Sequence, residues 1–274
     1  MTTTFWKGHG TGNDFVIVDR HDPLTPKQVR WLCHRRFGLG ADGTLQALRA
    51  RDVADWNGDP DLWFMDYRNA DGSTAEICGN GLRVFARYLS QTERMTTTEA
   101  DVATRAGVRH VWLRDDDDVS VTMGAVRIEP DEVTIEHRDM RWPACKVDVG
   151  NPHAVVVTDH TTVSGINLAE APTWRPRSAF PAGVNVEFVE QIDQHTVAMR
   201  VHERGSGETM SCGTGTVAVA AAMAARTGHR GPWTVQVPGG RIVVTLSPAD
   251  DGYRAILTGP AVILATGHVD LPDQ

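Results

Sequence analysis

A Cys-Gly-x-Gly tetrapeptide occurs twice in this chain, as Cys78-Gly79-Asn80-Gly81 and as Cys212-Gly213-Thr214-Gly215, 134 residues apart. A second signature repeats at nearly the same offset. Gly12-Asn13-Asp-Phe-Val-Ile-Val18 is echoed by Gly150-Asn151-Pro-His-Ala-Val-Val156, 138 residues further on. Half of the 274 residues is 137. Two independent echoes at almost one offset point to an internal duplication. We therefore read two homologous halves, each with a Gly-Asn turn beside a strand and a Cys-Gly-x-Gly turn ahead of a helix. The length agrees, since about 150 residues make an average domain. A pseudo-twofold molecule of this kind is expected to bring two equivalent helix starts to one cleft, a common setting for a ligand.

Local patterns fill in the rest. Residues 13–19 are β-branched and apolar and predict a strand. Thr25-Pro26 opens a helix to about residue 36, with threonine as cap and proline in the first turn. Gly38-Leu-Gly40-Ala-Asp-Gly43 breaks it. Residues 62–67 predict a strand, Asn69-Ala-Asp-Gly72 a turn, and 79–89 a helix. Strands follow at 110–113 and 119–123, with four aspartates between them at 115–118, read as a domain boundary. The second half predicts strands at 146–149, 154–157, 184–190 and 196–202, then an alanine-rich helix at 214–226 stopped by Gly228. Pro238-Gly-Gly240 reads as a hairpin turn. Many strands with few helices favour an α/β or α+β mixed-sheet fold over a regular βαβ array.

Composition narrows the function. There are 35 acidic and 27 basic residues, a net charge of −8, which argues against the basic stripe that a nucleic-acid surface needs. The longest apolar run, 217–225, is nine residues, against about 20 for a membrane span. The start shows no basic end followed by an apolar stretch. A cytoplasmic protein is expected. The four cysteines, Cys33, Cys78, Cys145 and Cys212, are widely spaced. They match neither a zinc ribbon nor a disulfide scaffold, so no metal is expected. Cys33 and Cys145 read as small buried hydrophobes.

Cys78 and Cys212 sit differently. A helix start offers unpaired N–H groups and partial positive charge, which hold a carboxylate or phosphate and favour the thiolate of a cysteine placed there. Two such units face to face suit a cofactor-free racemase. One thiolate removes an α-proton, the opposite thiol delivers another, and N–H groups stabilise the enediolate charge between them. Other readings are weaker. Gly213-x-Gly215-x-x-Ala218 fits a dinucleotide fingerprint, but no acidic residue lies between Glu208 and Asp250. The three lysines, Lys7, Lys27 and Lys146, lie in no phosphate-cradling context for a pyridoxal Schiff base. A binding protein with tightly packed helix starts remains an alternative.

The motifs resemble the bacterial diaminopimelate epimerase family. The matching segments are Lys7-Gly-His-Gly-Thr-Gly-Asn13-Asp-Phe, Gly38-Leu-Gly-Ala-Asp-Gly43, Asn69-Ala-Asp-Gly72, Cys78-Gly-Asn-Gly81, Gly150-Asn-Pro-His153, Val184-Asn-Val-Glu, Glu203-Arg-Gly-Ser-Gly-Glu-Thr209 and Cys212-Gly-Thr-Gly215. The resemblance implies two pseudo-symmetric domains, each a strand barrel around a central helix. With the tail returning to the first domain, the expected limits are 1–115 plus 261–274, carrying Cys78, and 116–260, carrying Cys212. It implies conversion of LL-2,6-diaminopimelate to the meso form, a step toward lysine and peptidoglycan precursors, without cofactor or metal. A homodimer is a further expectation.

The roles implied follow the motifs. Cys78 and Cys212 resemble the acid/base pair. Gly79, Asn80, Gly213 and Thr214 resemble the carboxylate cradles. Asn13, Asn69, Asn151, Asn185, Glu203 and Arg204 resemble the remaining substrate contacts. His153 and either Glu203 or Glu208 are candidates for tuning the thiols. The substrate has two amino-acid ends, of which one reacts. Arg204 can grip the distal carboxylate with two prongs, and a buried polar ring penalises any substrate lacking that end. Some family members carry a substrate-touching glutamine where this chain has Gly43, so no side-chain role is carried over there. A related racemase of another amino acid is the alternative.

Overall fold

Thr25 closes a capping box with Gln28. Its hydroxyl accepts the Gln28 N–H at 3.3 Å, and the Gln28 side chain accepts the Thr25 N–H at 3.1 Å. These bonds satisfy two otherwise orphan donors and start the first of three α-helices in a computed structural model that describes residues 2–159 and 161–272. The chain divides into two compact units, Met1–Val121 with Gly259–Gln274, and Thr122–Thr258.

The first unit runs β1 (Thr2–Gly10), β2 (Asn13–Asp19), α1 (Pro26–Cys33), β3 (Gly43–Arg49), β4 (Trp63–Asn69), α2 (Gly79–Gln91), β5 (Glu99–Thr104) and β6 (Gly107–Leu113). It then enters β7 (Asp118–His137), a 20-residue strand that continues into the second unit. There follow β8 (Met140–Asp148), β9 (Pro152–Val157), β10 (Thr173–Arg175), β11 (Asn185–Gln191), β12 (Thr196–Glu203), β13 (Gly207–Thr209) and α3 (Gly213–Thr227). The unit ends with β14 (Trp233–Val237), β15 (Gly240–Ala249) and β16 (Gly252–Pro260), and β17 (Val262–Asp270) pairs with β1 of the first unit.

The duplication is visible in the strand pairing. From β1 to β7 successive partners are antiparallel, parallel, antiparallel, parallel, antiparallel and antiparallel. From β8, through β9, β11, β12, β14 and β15, to β16 the same series recurs. In the second unit β16 also pairs with β7, and β7 with β8, so its strands close on themselves. Closure removes free edges. The expected mixed α/β, strand-rich class is what the structure has.

Each unit wraps a helix. α2 buries residues from Gly79 to Leu89 against β1, β2, β4, β6 and β17. α3 is apolar on every side, as a helix sunk in a core must be, and packs on β8, β9, β11, β14 and β15. Its alanines let the strands come close. Gly228 stops it in the left-handed conformation, φ 77°, which costs a residue with a Cβ about 1–2 kcal/mol.

Two expectations shift. α1 ends at Cys33, not 36, because the amides of Leu39 and Gly40 take the Leu32 carbonyl and that of Ala41 takes Cys33. Asp115, Asp116 and Asp117 form the turn between β6 and β7, and Asp118 opens β7. The division of the chain falls later, between Val121 and Thr122 within β7. Cys33 is buried, with its thiol pushed up to about 12 by burial. Cys145 lies within β8 and is also shifted upward by burial. No helix among the described residues is long and apolar enough to cross a membrane.

Phe188 is fully buried in the cluster of Val156, Leu168, Phe180 and Val186, edge-on to Trp142. Phe188→Ala is expected to destabilise the second unit by about 3–5 kcal/mol, read from urea unfolding. A loss below about 1 kcal/mol would show that the cluster collapses around the gap.

Candidate active site at two cysteine-capped helix starts

In both units a cysteine is the N-cap of the buried helix. Cys78 and Cys212 hold extended backbone, and each sulfur accepts the N–H three residues on, from Gly81 and from Gly215, at 3.4 Å. This is the geometry of a serine or aspartate cap with sulfur in place of oxygen. The positive end of the helix therefore lies at the sulfur.

Strand register brings the partners to the first of these starts. Phe15 pairs with Gly43 and Gly43 with Asn69, so the ends of β2, β3 and β4 lie side by side. The Cys78 thiol donates toward Asn13 Oδ1 at 3.6 Å, and Asn80 Nδ2 reaches the same oxygen at 3.4 Å. The Asn13 amide is turned this way by Asp42, whose Oδ2 accepts from Asn13 Nδ2 at 2.9 Å. Asp42 is in turn held by Arg35 at 2.7 Å, within a cluster that includes Asp14 and Lys7. Asn69 accepts from the Tyr67 hydroxyl at 2.8 Å and donates to Ser73 at 3.1 Å. It joins the strand ends of this unit, opposite Gly43. Gly43 has no room for a side chain, since a Cβ would fall 2.6 Å from the Arg68 carbonyl and 2.9 Å from the Tyr67 ring.

The second start is richer in charge. β9 and β11 run parallel with His153 opposite Asn185, and β12 follows antiparallel to β11. His153 and Glu187 are both fully buried, with Nδ1 2.7 Å from Oε1. The other ring nitrogen lies 3.1 Å from Asn151 Oδ1, and the Asn151 amide donates to Thr214 at 3.3 Å. The Thr214 hydroxyl is 3.5 Å from Cys212 Sγ. Glu203 accepts hydrogen bonds from Thr209 and from the Cys212 thiol. Burial raises its pKa, and those bonds oppose the shift in part. The Cys212 thiol is pushed well up by burial first, then by the charges of Glu203 and Glu187. Thr214 and the Gly215 N–H pull the other way.

The structure thus gathers Asn13, Cys78, Gly79 and Asn80 at one start, and Asn151, His153, Glu203, Cys212, Gly213 and Thr214 at the other. Asn185 accepts the Arg204 N–H at 2.9 Å and so ties the loop after β12 to β11. The exposed Arg204 side chain donates to the Ala182 carbonyl at 3.3 Å. Of the two glutamates considered for tuning, Glu203 touches the thiol. Glu208 does not, being exposed and paired with Arg200 at 2.6 Å. Neighbours in a strand point to opposite faces, so Thr209 turns to Glu203 while Glu208 turns away. His153 reaches Cys212 through Asn151 and Thr214.

Sequence reasoning missed Glu187 and Arg83. Glu187 was legible as a period-two partner of Asn185 on β11. Arg83, fully buried in α2, was legible only as one of two arginines on that helix.

Comparison with known proteins bears on both units. The sequence model of the family described as Diaminopimelate epimerase matches residues 5–129 and 145–264. A diaminopimelate epimerase of Streptomyces coelicolor is 48% identical, covering 97% of this chain and 95% of its own. One from Corynebacterium glutamicum is 45% identical over 99% of each. Among solved structures, a Bacillus anthracis phenazine biosynthesis protein of the PhzF family aligns with TM-score 0.72 at 15% identity, covering 99% of this chain and 100% of its own. A probable proline racemase from Agrobacterium radiobacter K84 aligns with TM-score 0.72 at 17% identity, over 98% and 93%. These two likenesses are of fold.

The Asp14 cluster gives a pH test. Burial opposes ionisation of Asp14, but hydrogen bonds from Arg35 and Lys7 outweigh it and hold the pKa at about 2, below the ordinary 3.8. A carboxyl depressed on folding stabilises above its unfolded pKa and loses that contribution as pH falls through the folded one. Stability is therefore expected to drop from about pH 4 toward pH 2, and the drop should be smaller in Asp14→Asn, followed by denaturant titration at each pH.

Proposed function

The chain belongs to the diaminopimelate epimerase family, and from its two cysteine-capped helix starts we propose that Cys78 and Cys212 are the acid/base pair of the epimerisation. The reaction converts LL-2,6-diaminopimelate to the meso isomer by inverting one of two α-carbons. A thiolate takes the α-proton, leaving the C–H electron pair on carbon. The charge spreads into the neighbouring carboxylate as an enediolate. The other thiol then delivers its proton to the opposite face. One sulfur ends protonated and the other ionised, so proton and charge balance.

The observation that carries this reading is the identical capping of two buried helices by cysteine sulfur. Backbone N–H groups after each cysteine can stabilise charge on the carboxylate oxygens. Gly79 and Asn80, with Gly213 and Thr214, supply these cradles. The positions of Asn13, Asn69, Asn151 and Asn185 at strand ends support their role as amide contacts to substrate. Arg204 serves the distal carboxylate, where a bidentate contact is strong. Glu203, already bonded to the Cys212 thiol, serves that thiol.

Cys78→Ala and Cys212→Ala are each expected to abolish inversion, by at least about 10²-fold as for loss of a general acid or base, while leaving circular dichroism unchanged. Retained turnover in either would remove that sulfur from the chemistry. Arg204→Ala is expected to raise KM for diaminopimelate about tenfold or more, as for loss of a charged hydrogen bond. An unchanged KM would move the distal grip elsewhere.

A further inference from the structure

We infer that Tyr67 is a positioning residue for the substrate, whose hydroxyl holds the Asn69 amide in one orientation at the strand ends of the first unit. The inference rests on the reading of Asn69 as a substrate contact and names what aims that amide.

The ends of β2, β3 and β4 present one continuous face to α2. Residues paired across strands, and residues two apart along a strand, lie on the same side of a sheet. Phe15 pairs with Gly43 and Gly43 with Asn69, so these three share a side with Leu45 and Tyr67. The first turn of α2 lies over that side, where a Cβ on Gly81 would fall 3.3 Å from Leu45 and 3.4 Å from Phe15. Gly43 leaves a gap there, and the Tyr67 ring occupies it. A Cβ at residue 43 would fall 2.9 Å from Tyr67 Cε2. The ring also stands edge-on to the fully buried Phe15, with centroids 6.0 Å apart. Close packing of this kind leaves the phenol few positions. Its hydroxyl donates to Asn69 Oδ1 at 2.8 Å.

A free asparagine amide turns end for end and so exchanges donor for acceptor. Here an ionised carboxylate fixes the sense. Asp71 Oδ1 accepts the Ser73 hydroxyl at 2.6 Å and the Ser73 N–H at 2.8 Å, and these bonds hold its pKa below the ordinary carboxylate value. A serine hydroxyl has one hydrogen, and Asp71 takes it. The Ser73 oxygen is left as an acceptor, and Asn69 Nδ2 donates to it at 3.1 Å. Turned the other way, the amide would set oxygen against oxygen. Asp71 and Ser73 are exposed, so water competes for their bonds. The Tyr67 hydroxyl, carried on a half-buried and packed ring, is the firmer of the two anchors.

Two bonding positions on Asn69 remain after these contacts, one Nδ2 hydrogen and one lone pair of Oδ1. Among the described residues no other group takes them. A donor and an acceptor on one rigid amide suit an amino-acid end, with the N–H for its carboxylate and the oxygen for its ammonium. A reversed amide would offer each charge the wrong pole. Tyr67 acts through Asn69 and touches no reacting atom in this scheme.

Steady-state kinetics with LL-diaminopimelate on Tyr67→Phe, Asn69→Ala and the double variant test the assignment. Tyr67→Phe keeps the ring and removes the hydroxyl. Its KM is expected to rise about three- to tenfold, the range for one neutral hydrogen bond. Its kcat should stay within about twofold, the signature of lost uniform binding. Asn69→Ala is expected to raise KM as well. In that background Tyr67→Phe should add less than about twofold, because its effect passes through the amide. A role in packing alone would shift the urea midpoint without that non-additivity in KM. An unmoved KM in Tyr67→Phe overturns the inference. So does an equal rise in both backgrounds, which would put the hydroxyl on the substrate itself. An unmoved KM in Asn69→Ala would instead remove Asn69 from the substrate, and so overturn the reading on which the inference rests.

Discussion

A sulfur accepting the third N–H of a buried helix is the contact on which the rest of this structure depends. It occurs at 3.4 Å in each unit. It fixes the cysteine rotamer and sets the sulfur at the positive end of the backbone dipole. It also leaves the neighbouring N–H groups facing the same direction as the sulfur. The strand shell buries the helix, and burial makes both the cap and the charges around it count for more than they would in water.

Duplication explains why the contact appears twice. The same series of parallel and antiparallel pairings runs through both units, with the cysteine-capped helix inserted after the fourth strand of each series. Inversion at one carbon needs a base for one face and an acid for the other, and a repeated frame offers two groups of one kind for those roles. The repeat is geometric and not electrostatic. Arg83 lies where the second unit has Val217, and Glu187 lies against the glycine whose counterpart meets Leu45 and Phe15.

Much of this was legible in the sequence because the carrying signals are local. The capping pair Thr25 and Gln28, the two Cys-Gly-x-Gly turns and Gly228 mark helix ends with chemistry that neighbours in sequence can complete. What was not legible depends on partners far along the chain. α1 stops early because amides of the following loop take its last carbonyls. The aspartates at 115–118 carry the composition of either a turn or a linker, and only pairing between β6 and β7 decides for the turn. Glu208 and Glu203 lie in one motif, and only the strand face separates the residue that meets Cys212 from the one that meets Arg200. Arg83 belongs to no polar motif, and its partners Thr11 and Pro260 come from opposite ends of the chain.

The central claim is that this protein moves the α-proton of diaminopimelate between two sulfurs. The most direct test is mass spectrometry of α-deuterium uptake from D₂O, with reduced enzyme and LL-diaminopimelate beside a panel of simple amino acids. The account predicts one deuterium per inverted centre in meso product and none in the simple amino acids. Exchange into an amino acid without a distal carboxylate would contradict the assigned substrate, and no exchange into any of them would contradict the reaction itself.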